Sequence, residues 1–446
     1  MTERKRTLSL WDLVFYGIVL IQPIAPIPLF GVAQQLSHGH FATIILIAMV
    51  AMLITAVSYG RMSSVYPSAG SAYTYVGKGL NKQAGFLIGW AMFLDYLLQP
   101  LINTVWISLA LSGRYLPHVP YIVWAALLSV IFTALNLLGI RSSARANRAL
   151  FFAMIAVVIV FVVLAIHFLY AAGGIHGLLS TKPFYDPATF DWHRIWTATS
   201  FAALTYIGFD GVTTLAEDAR DPRRNVLIAT VGVCAFTGIV GGLEVYLGQL
   251  VYPNWRAYHD VTTAFMDVAS RVGGVWLFQA FGAILIVAAF GSALTGGLGA
   301  AKLLLGMGRD NALPRALFGH THGPNATPTY NLILIGVLTF VGAIALNQFG
   351  NAYELSGEIL NFGAFLAFMG VNLAALRTFT FARPEHHKPN LFADTLVPLA
   401  GFLFCGAIWW NLNSLAKIVG GIWLSLGLVY AIASHLKNRP VAPMSR

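Results

Sequence analysis

Apolar residues run along this chain in twelve stretches, near 9–35, 41–65, 84–112, 119–140, 147–172, 195–217, 227–251, 275–307, 329–347, 354–378, 393–412 and 418–436. Each approaches or exceeds the roughly 20 residues that a helix needs to cross hydrocarbon. The polar residues collect in the short connections between them. The pattern predicts an all-α polytopic membrane protein with twelve transmembrane helices. Two stretches are interrupted. Residues 16–33 read "YGIVLIQPIAPIPLFGVA", with Pro23, Pro26 and Pro28 at the centre of the first span. A proline inside a helix removes a donor and clashes with the preceding turn, at about 3 kcal/mol. The sixth stretch, "TATSFAALTYIGFDGVTTLAEDARDP", has Gly208 and Gly211 flanking Phe209 and Asp210 at mid-span. Broken helices at corresponding places in two halves point to a transporter built from inverted repeats, with its binding site at the breaks.

Composition agrees with the pattern. Of the 446 residues 57% are hydrophobic and 10% charged, with mean hydropathy +0.71, against about 25% charged in an ordinary soluble domain. The basic start "MTERKRTLSLWD" leads into a span with no cleavage-site pattern and reads as a first membrane helix, not a signal peptide. The net charge of +10 is topological. Twenty lysines and arginines fall on the side of the chain ends, among them Arg4, Lys5, Arg6, Arg61, Lys78, Lys82, Arg141, Arg145, Arg148, Arg220, Arg223 and Arg224. Six fall on the other side: Arg114, Lys182, Arg194, Arg256, Arg271 and Lys417. The excess predicts both termini in the cytoplasm of a cell, inner or plasma, membrane, and no nucleic-acid partner.

Other chemistry is missing. Cys234 and Cys405 lie in separate apolar spans and read as small buried hydrophobes. "TGGLGAAKLL" lacks the spacing of a phosphate loop and lies in a span, where glycines permit close helix packing. Asn325 and Thr327 form a glycosylation pattern on the predicted cytoplasmic side, and the adjacent His386 and His387 have no matched metal-ligand partner. No metal, cofactor or catalytic residue is expected, and the chain is not read as an enzyme.

Several motifs resemble the amino acid–polyamine–organocation transporters over about Leu8 to Leu436: "YPSAGSAYTY", "GFLIGWAMFLDYLLQPLIN", "GFDG", "EDARDP", "GMGRDNALP", "TPTYNLI" and "LNFGAF". "QP" in span 1, "LDYL" in span 3 and "LNFGAF" in span 10 are most similar to bacterial putrescine importers. The resemblance implies one transporter domain over 1–446, with repeats near 9–172 and 195–378 and two extra helices near 393–436. It further implies alternating access and a substrate held where spans 1 and 6 unwind, lined by spans 3, 8 and 10. The chain departs from the family in its Gln-Pro-Ile-Ala-Pro-Ile-Pro turn, where many members have a glycine-rich one. It also lacks the span-5 lysine of some proton-coupled members, and the proline usual after "RRN".

The candidate substrate-binding residues are Gln22, Pro23, Ile24, Ala25, Pro26, Asp95, Tyr96, Tyr206, Phe209, Asp210, Gly211 and Asn361. Each proline deletes an N–H and keeps a C=O, which weights the first break toward acceptors. Asp95 and Asp210 add carboxylates, and the aromatic residues offer cation–π faces. Asp95 and Asp210 each read equally as structural groups. Ser292 and Thr295 could supply hydroxyls to a sodium ion, a proton on a carboxylate being the alternative coupling ion. Glu217, Glu244 and Lys302 are candidates for gating or coupling. The expected function is import of an amine such as putrescine. An amino acid permease is the close alternative, since Ile24, Ala25 and Ile27 still offer N–H groups to a carboxylate. An ion channel or a transporter-like receptor is more remote.

Overall fold

The computed structural model describes residues 8–68, 70–139, 144–322, 327–384 and 388–436. Arg4, Lys5, Arg6, Arg141, Asn325, His386 and His387 lie outside the described residues. The described elements are helical: α1 Leu10–Ile21, α2 Phe30–Leu36, α3 Phe41–Val65, α4 Ser71–Gly79, α5 Lys82–Ala110, α6 Tyr121–Leu137, α7 Ala144–Leu178, α8 Trp192–Ala202, α9 Pro222–Val251, α10 Ala264–Arg309, α11 Arg315–Phe318, α12 Thr329–Asn347, α13 Ala352–Leu376, α14 Val397–Trp410 and α15 Ser414–Leu436. Among the described residues nine helices are long and apolar enough to span a membrane, and α1 and α6 are shorter apolar helices. These elements fall at the positions of the predicted spans. The chain is an integral membrane protein.

Two of the long helices each hold a kink at a glycine. Helix α7 leaves helical geometry at Gly173 and Gly174, and α10 at Gly274, whose φ is +70°. The apolar pattern ends its fifth span at 172 and starts its eighth at 275, so it marks these kinks. Glycine is required at Gly274 because the left-handed region strains other residues.

The chain divides into two compact units, Met1–Gly60 with Ser143–Ala288, and Arg61–Ser142 with Ala289–Arg446. In the first, Ser9 and Asp12 form a capping box that starts α1, the Ser9 N–H donating to Asp12 Oδ2 at 2.9 Å. Such a box satisfies donors that the first helical turn leaves orphaned. Leu13 packs with Val212, Ala216, Ala219, Val226 and Ala229. A ring cluster of Phe30, Phe161, Phe265 and Phe281 fills the space beside α2, with centroids 4.9–5.9 Å apart.

In the second unit α5 and α13 pack closely. A Cβ on Gly363 would lie 2.5 Å from the Ala91 carbonyl oxygen, so only glycine fits there. Trp90 and Trp423 stack at 4.6 Å, and each indole N–H donates to the other's backbone carbonyl, at 2.8 and 2.9 Å. Arg61 pairs with the buried Asp394, donates to the Ala393 carbonyl and stacks over Phe379 at 4.0 Å. Removing one partner of a buried pair leaves the other charge uncompensated, at about 3–5 kcal/mol. Asp394→Ala is therefore expected to lower the thermal midpoint in detergent clearly below that of the wild type. An unchanged midpoint would show that the pair contributes nothing to stability.

Candidate functional site

Both predicted breaks lie in the first unit. Helix α1 stops at Gln22, whose φ is +74°, after its N–H bonds to the Ile18 carbonyl. Residues 23–29 then turn tightly before α2 begins. Ala25 donates to Gln22 O and Ile27 to Ile24 O, both at 3.1 Å, and Phe30 donates to Ile27 O at 3.2 Å. The turns thus consume the N–H groups of Ala25 and Ile27 and leave those of Ile24 and Leu29. Among the described residues the carbonyls of Pro23, Ala25, Pro26 and Pro28 accept no backbone bond. Pro23, Ile24 and Pro26 are buried, and Gln22 and Ala25 half-buried. The Gln22 side-chain amide donates to the Ala288 carbonyl on α10 at 2.7 Å.

The second break follows α8. The chain tightens into a 3-10 turn over Ala203–Tyr206, extends at Ile207, passes Gly208 at φ +111°, and continues as 3-10 helix over Phe209–Leu215. Gly208 and Gly211 bring this segment against the end of α1. A Cβ on Gly211 would lie 2.2 Å from a Leu20 methyl, and one on Gly208 3.3 Å from Leu20 Cγ. Asp210 is buried, its carboxylate facing the backbone N–H groups of Asp210 and Gly211. The Thr213 hydroxyl donates to the Asp210 carbonyl at 2.6 Å. The Tyr206 hydroxyl donates to the Ile45 carbonyl at 2.8 Å, and Phe209 packs edge-on against Tyr59 at 5.4 Å. These two rings brace the break, and both are fully buried. Glu217 is half-buried just beyond, where the Leu8 N–H donates to Asp218 O and the Arg220 N–H to Leu8 O, at 3.0 and 2.8 Å. Glu244 sits on α9, fully buried.

The other candidates lie in the second unit. Asp95 is buried on α5, where Gly363 of α13 comes close to its backbone, and Asn361 is fully buried on α13. The Tyr96 ring lies about 3.1 Å from where a Cβ of Gly299 would stand, so it packs on α10. Ser292 Oγ accepts from Asn103 Nδ2 at 3.1 Å. Thr295 is exposed and donates to the Gly291 carbonyl of its own helix at 2.8 Å. Lys302 is exposed on the same helix.

The residues of spans 1 and 6 are thus brought together in one unit, and Asp95 and Asn361 sit on paired helices of the other. Sequence reasoning missed Asn103, whose amide also donates to the Gln99 carbonyl beside Pro100 at 2.8 Å. An amide side chain one turn beyond Pro100 in an otherwise apolar span was the available signal. Outside the spans, the Tyr73 hydroxyl of "YPSAGSAYTY" donates to Asp310 of "GMGRDNALP" at 3.4 Å. Burial and the adjacent Asp310 push the Tyr73 hydroxyl up to about 12, and burial raises the Asp310 carboxyl.

The profile of the family described as "Amino acid permease" matches residues 8–432. The chain belongs to that family. Among this permease's relatives, the "Low-affinity putrescine importer PlaP" of Escherichia coli (strain K12) is 31% identical over 434 residues, covering 96% of this chain and 93% of the relative. The "Branched-chain amino acid permease BcaP" of Lactococcus lactis subsp. cremoris is 25% identical, covering 94% and 91%. A "Methylthioribose transporter" of Bacillus subtilis is 26% identical, covering 96% and 94%. The crystal structure of an Eremococcus coleocola manganese transporter superposes with a TM-score of 0.59 at 12% identity, covering 99% of each chain, and so shares the fold. This permease is a membrane transporter and not an enzyme.

Proposed function

We propose that the chain is a secondary transporter that imports a small organic cation, a diamine such as putrescine or a related amine, by alternating access. One observation carries the reading. Among the described residues, the first break keeps four carbonyls outside its turn bonds, those of Pro23, Ala25, Pro26 and Pro28, against two N–H groups, those of Ile24 and Leu29. Unpaired carbonyls suit an ammonium, and Asp210 in the adjoining break adds a carboxylate. Asp95, on α5 of the other unit, is the alternative carboxylate partner for an amine. The likeness to a putrescine importer supports the same reading. Uptake of an α-amino acid is the second reading, favoured by the Ile24 N–H and by the likeness to a branched-chain permease.

The proposed arrangement has repeats near 9–172 and 195–378, two extra helices, both termini in the cytoplasm of a bacterial inner membrane, and a proton or sodium ion as the coupling ion. Glu217 and Lys302 would act at the cytoplasmic gate. Ser292 and Thr295 would offer hydroxyl oxygens to sodium, since the bond that Thr295 donates to Gly291 uses its proton and leaves the oxygen lone pairs.

Thermal shift of the purified protein against amines and amino acids tests the substrate, because a ligand that binds only the folded chain raises its stability. Putrescine is expected to raise the midpoint and leucine to leave it unmoved; the reverse result would establish the second reading. For orientation, single cysteines at 78 and 145 are expected to resist an impermeant thiol reagent added to intact cells, and one at 182 to react. Labelling at 145 from outside would overturn the assignment of the termini.

A further inference from the structure

Glu244 is the one candidate that the substrate reading does not absorb. It is fully buried in the last third of α9, and neither carboxylate oxygen has a hydrogen-bond partner among the described residues. Its surroundings follow from its helix neighbours. Gly241 and Gly248, three residues before and four after, lie on the same face. A Cβ on Gly241 would lie 3.0 Å from Pro26 Cγ and 3.3 Å from Ile45 Cδ1. One on Gly248 would lie 3.0 Å from both the Phe30 and Phe265 rings. Glu244 therefore stands on the α9 face that the first break covers from Pro26 to Phe30, within an apolar wall.

An ionised carboxylate in such a place is far costlier than a neutral acid. The titratable groups around α9 do not offset that cost. Tyr206 has given its hydroxyl to Ile45 and lies beside Gly238. Asp210 acts on the Cys234 end of the helix, about 15 Å along the axis from Glu244. Tyr16 of α1 faces Thr214 and Asp210. On α7, Arg148, His167 and Tyr170 are exposed, and Tyr246 of α9 itself bonds the Leu178 carbonyl. Among the described residues, two more buried side-chain oxygens in this unit have no hydrogen-bond partner, Thr237 Oγ1 on α9 and Thr205 Oγ1 in the second break.

We propose that Glu244 is a proton-binding site, occupied while residues 23–29 cover it and emptied when that segment moves, so that one proton travels with each substrate. The inference rests on the reading of the chain as a secondary transporter and names its coupling group. The same segment that presents carbonyls to the substrate also seals the acid, which links the two events without contact between Glu244 and the substrate.

Two measurements test it. Proteoliposomes holding the wild type and Glu244→Gln are compared for putrescine accumulation under an imposed proton gradient and for putrescine exchange without one. One coupled proton gives the wild type about tenfold more accumulation per pH unit. Glu244→Gln is expected to lose that response and to keep exchange. Retained gradient-driven accumulation by the variant would overturn the proposal. The second measurement uses the wild-type chain and so does not depend on the variant folding. Dicyclohexylcarbodiimide adds to a protonated carboxyl in apolar surroundings: the acid proton moves to a carbodiimide nitrogen, and the carboxyl oxygen bonds the central carbon to give an O-acylisourea. Mass spectrometry is expected to find the adduct on Glu244, decreasing as the pH rises; absence of the adduct at every pH would also overturn the proposal. If the thermal shift shows an amino acid in place of an amine, the substrate reading fails alone. Both measurements then run with that amino acid and still report on Glu244.

Discussion

Asp210→Asn or Asp95→Asn, whichever removes the group that meets the ammonium, is expected to weaken putrescine binding by roughly 10- to 100-fold. A charge-assisted hydrogen bond contributes about 1.5–3 kcal/mol, and the amide keeps the shape while losing the charge. The loss should be large for a diamine, smaller for a monoamine and slight for a neutral competitor. Asp210 is the stronger candidate. It sits in the second break, where Gly208 and Gly211 bring the backbone against the end of α1. Binding of putrescine, a monoamine and several α-amino acids to each purified variant decides the matter. Tight binding of amino acids alone, with amines inert and both variants normal, would show that the carbonyls of the first break serve another purpose.

Gly208→Ala is expected to lower uptake by about tenfold or more while leaving membrane insertion intact. Gly208 holds φ at +111° between two 3-10 segments. An L side chain forced into such a region costs about 1–3 kcal/mol, and the chain can relieve that cost by changing the shape of the break. Insertion depends on many apolar spans and not on this turn. Gly211→Ala is the informative companion, because its new Cβ would meet only the terminal methyl of Leu20, which can swing aside. A smaller loss is therefore expected there. Initial uptake rates in cells, normalised to the amount of protein in the membrane, provide the comparison. Full activity of Gly208→Ala would mean that the left-handed turn is not needed for transport.

Much of this was legible in the sequence because hydrocarbon imposes a simple rule. Every backbone polar group in a bilayer must be satisfied within its own helix or by neighbouring protein, so apolar runs of spanning length become helices and their interruptions become breaks. The run positions and the interruptions at Pro23 and Gly208 follow from that local requirement, whereas α7 and α10 run on past the predicted span ends through glycine kinks at 173–174 and 274. What the bonds and rings do at the breaks did not follow. Ala25 and Ile27 counted as free donors by position, yet the turn closes on Gln22 and Ile24 and uses both N–H groups. Tyr206 and Phe209 read as open aromatic faces and are instead packed against α3. Tyr96 lies on Gly299, and Arg61 finds Asp394 from the far end of the chain. Periodicity and proline placement act over a turn or two of backbone, so the sequence by itself determined where helices run and where they fail. Which donors remain available, which rings are committed, and that Glu244 is enclosed with no hydrogen-bond partner among the described residues depend on groups remote in sequence, and only the tertiary packing decided them.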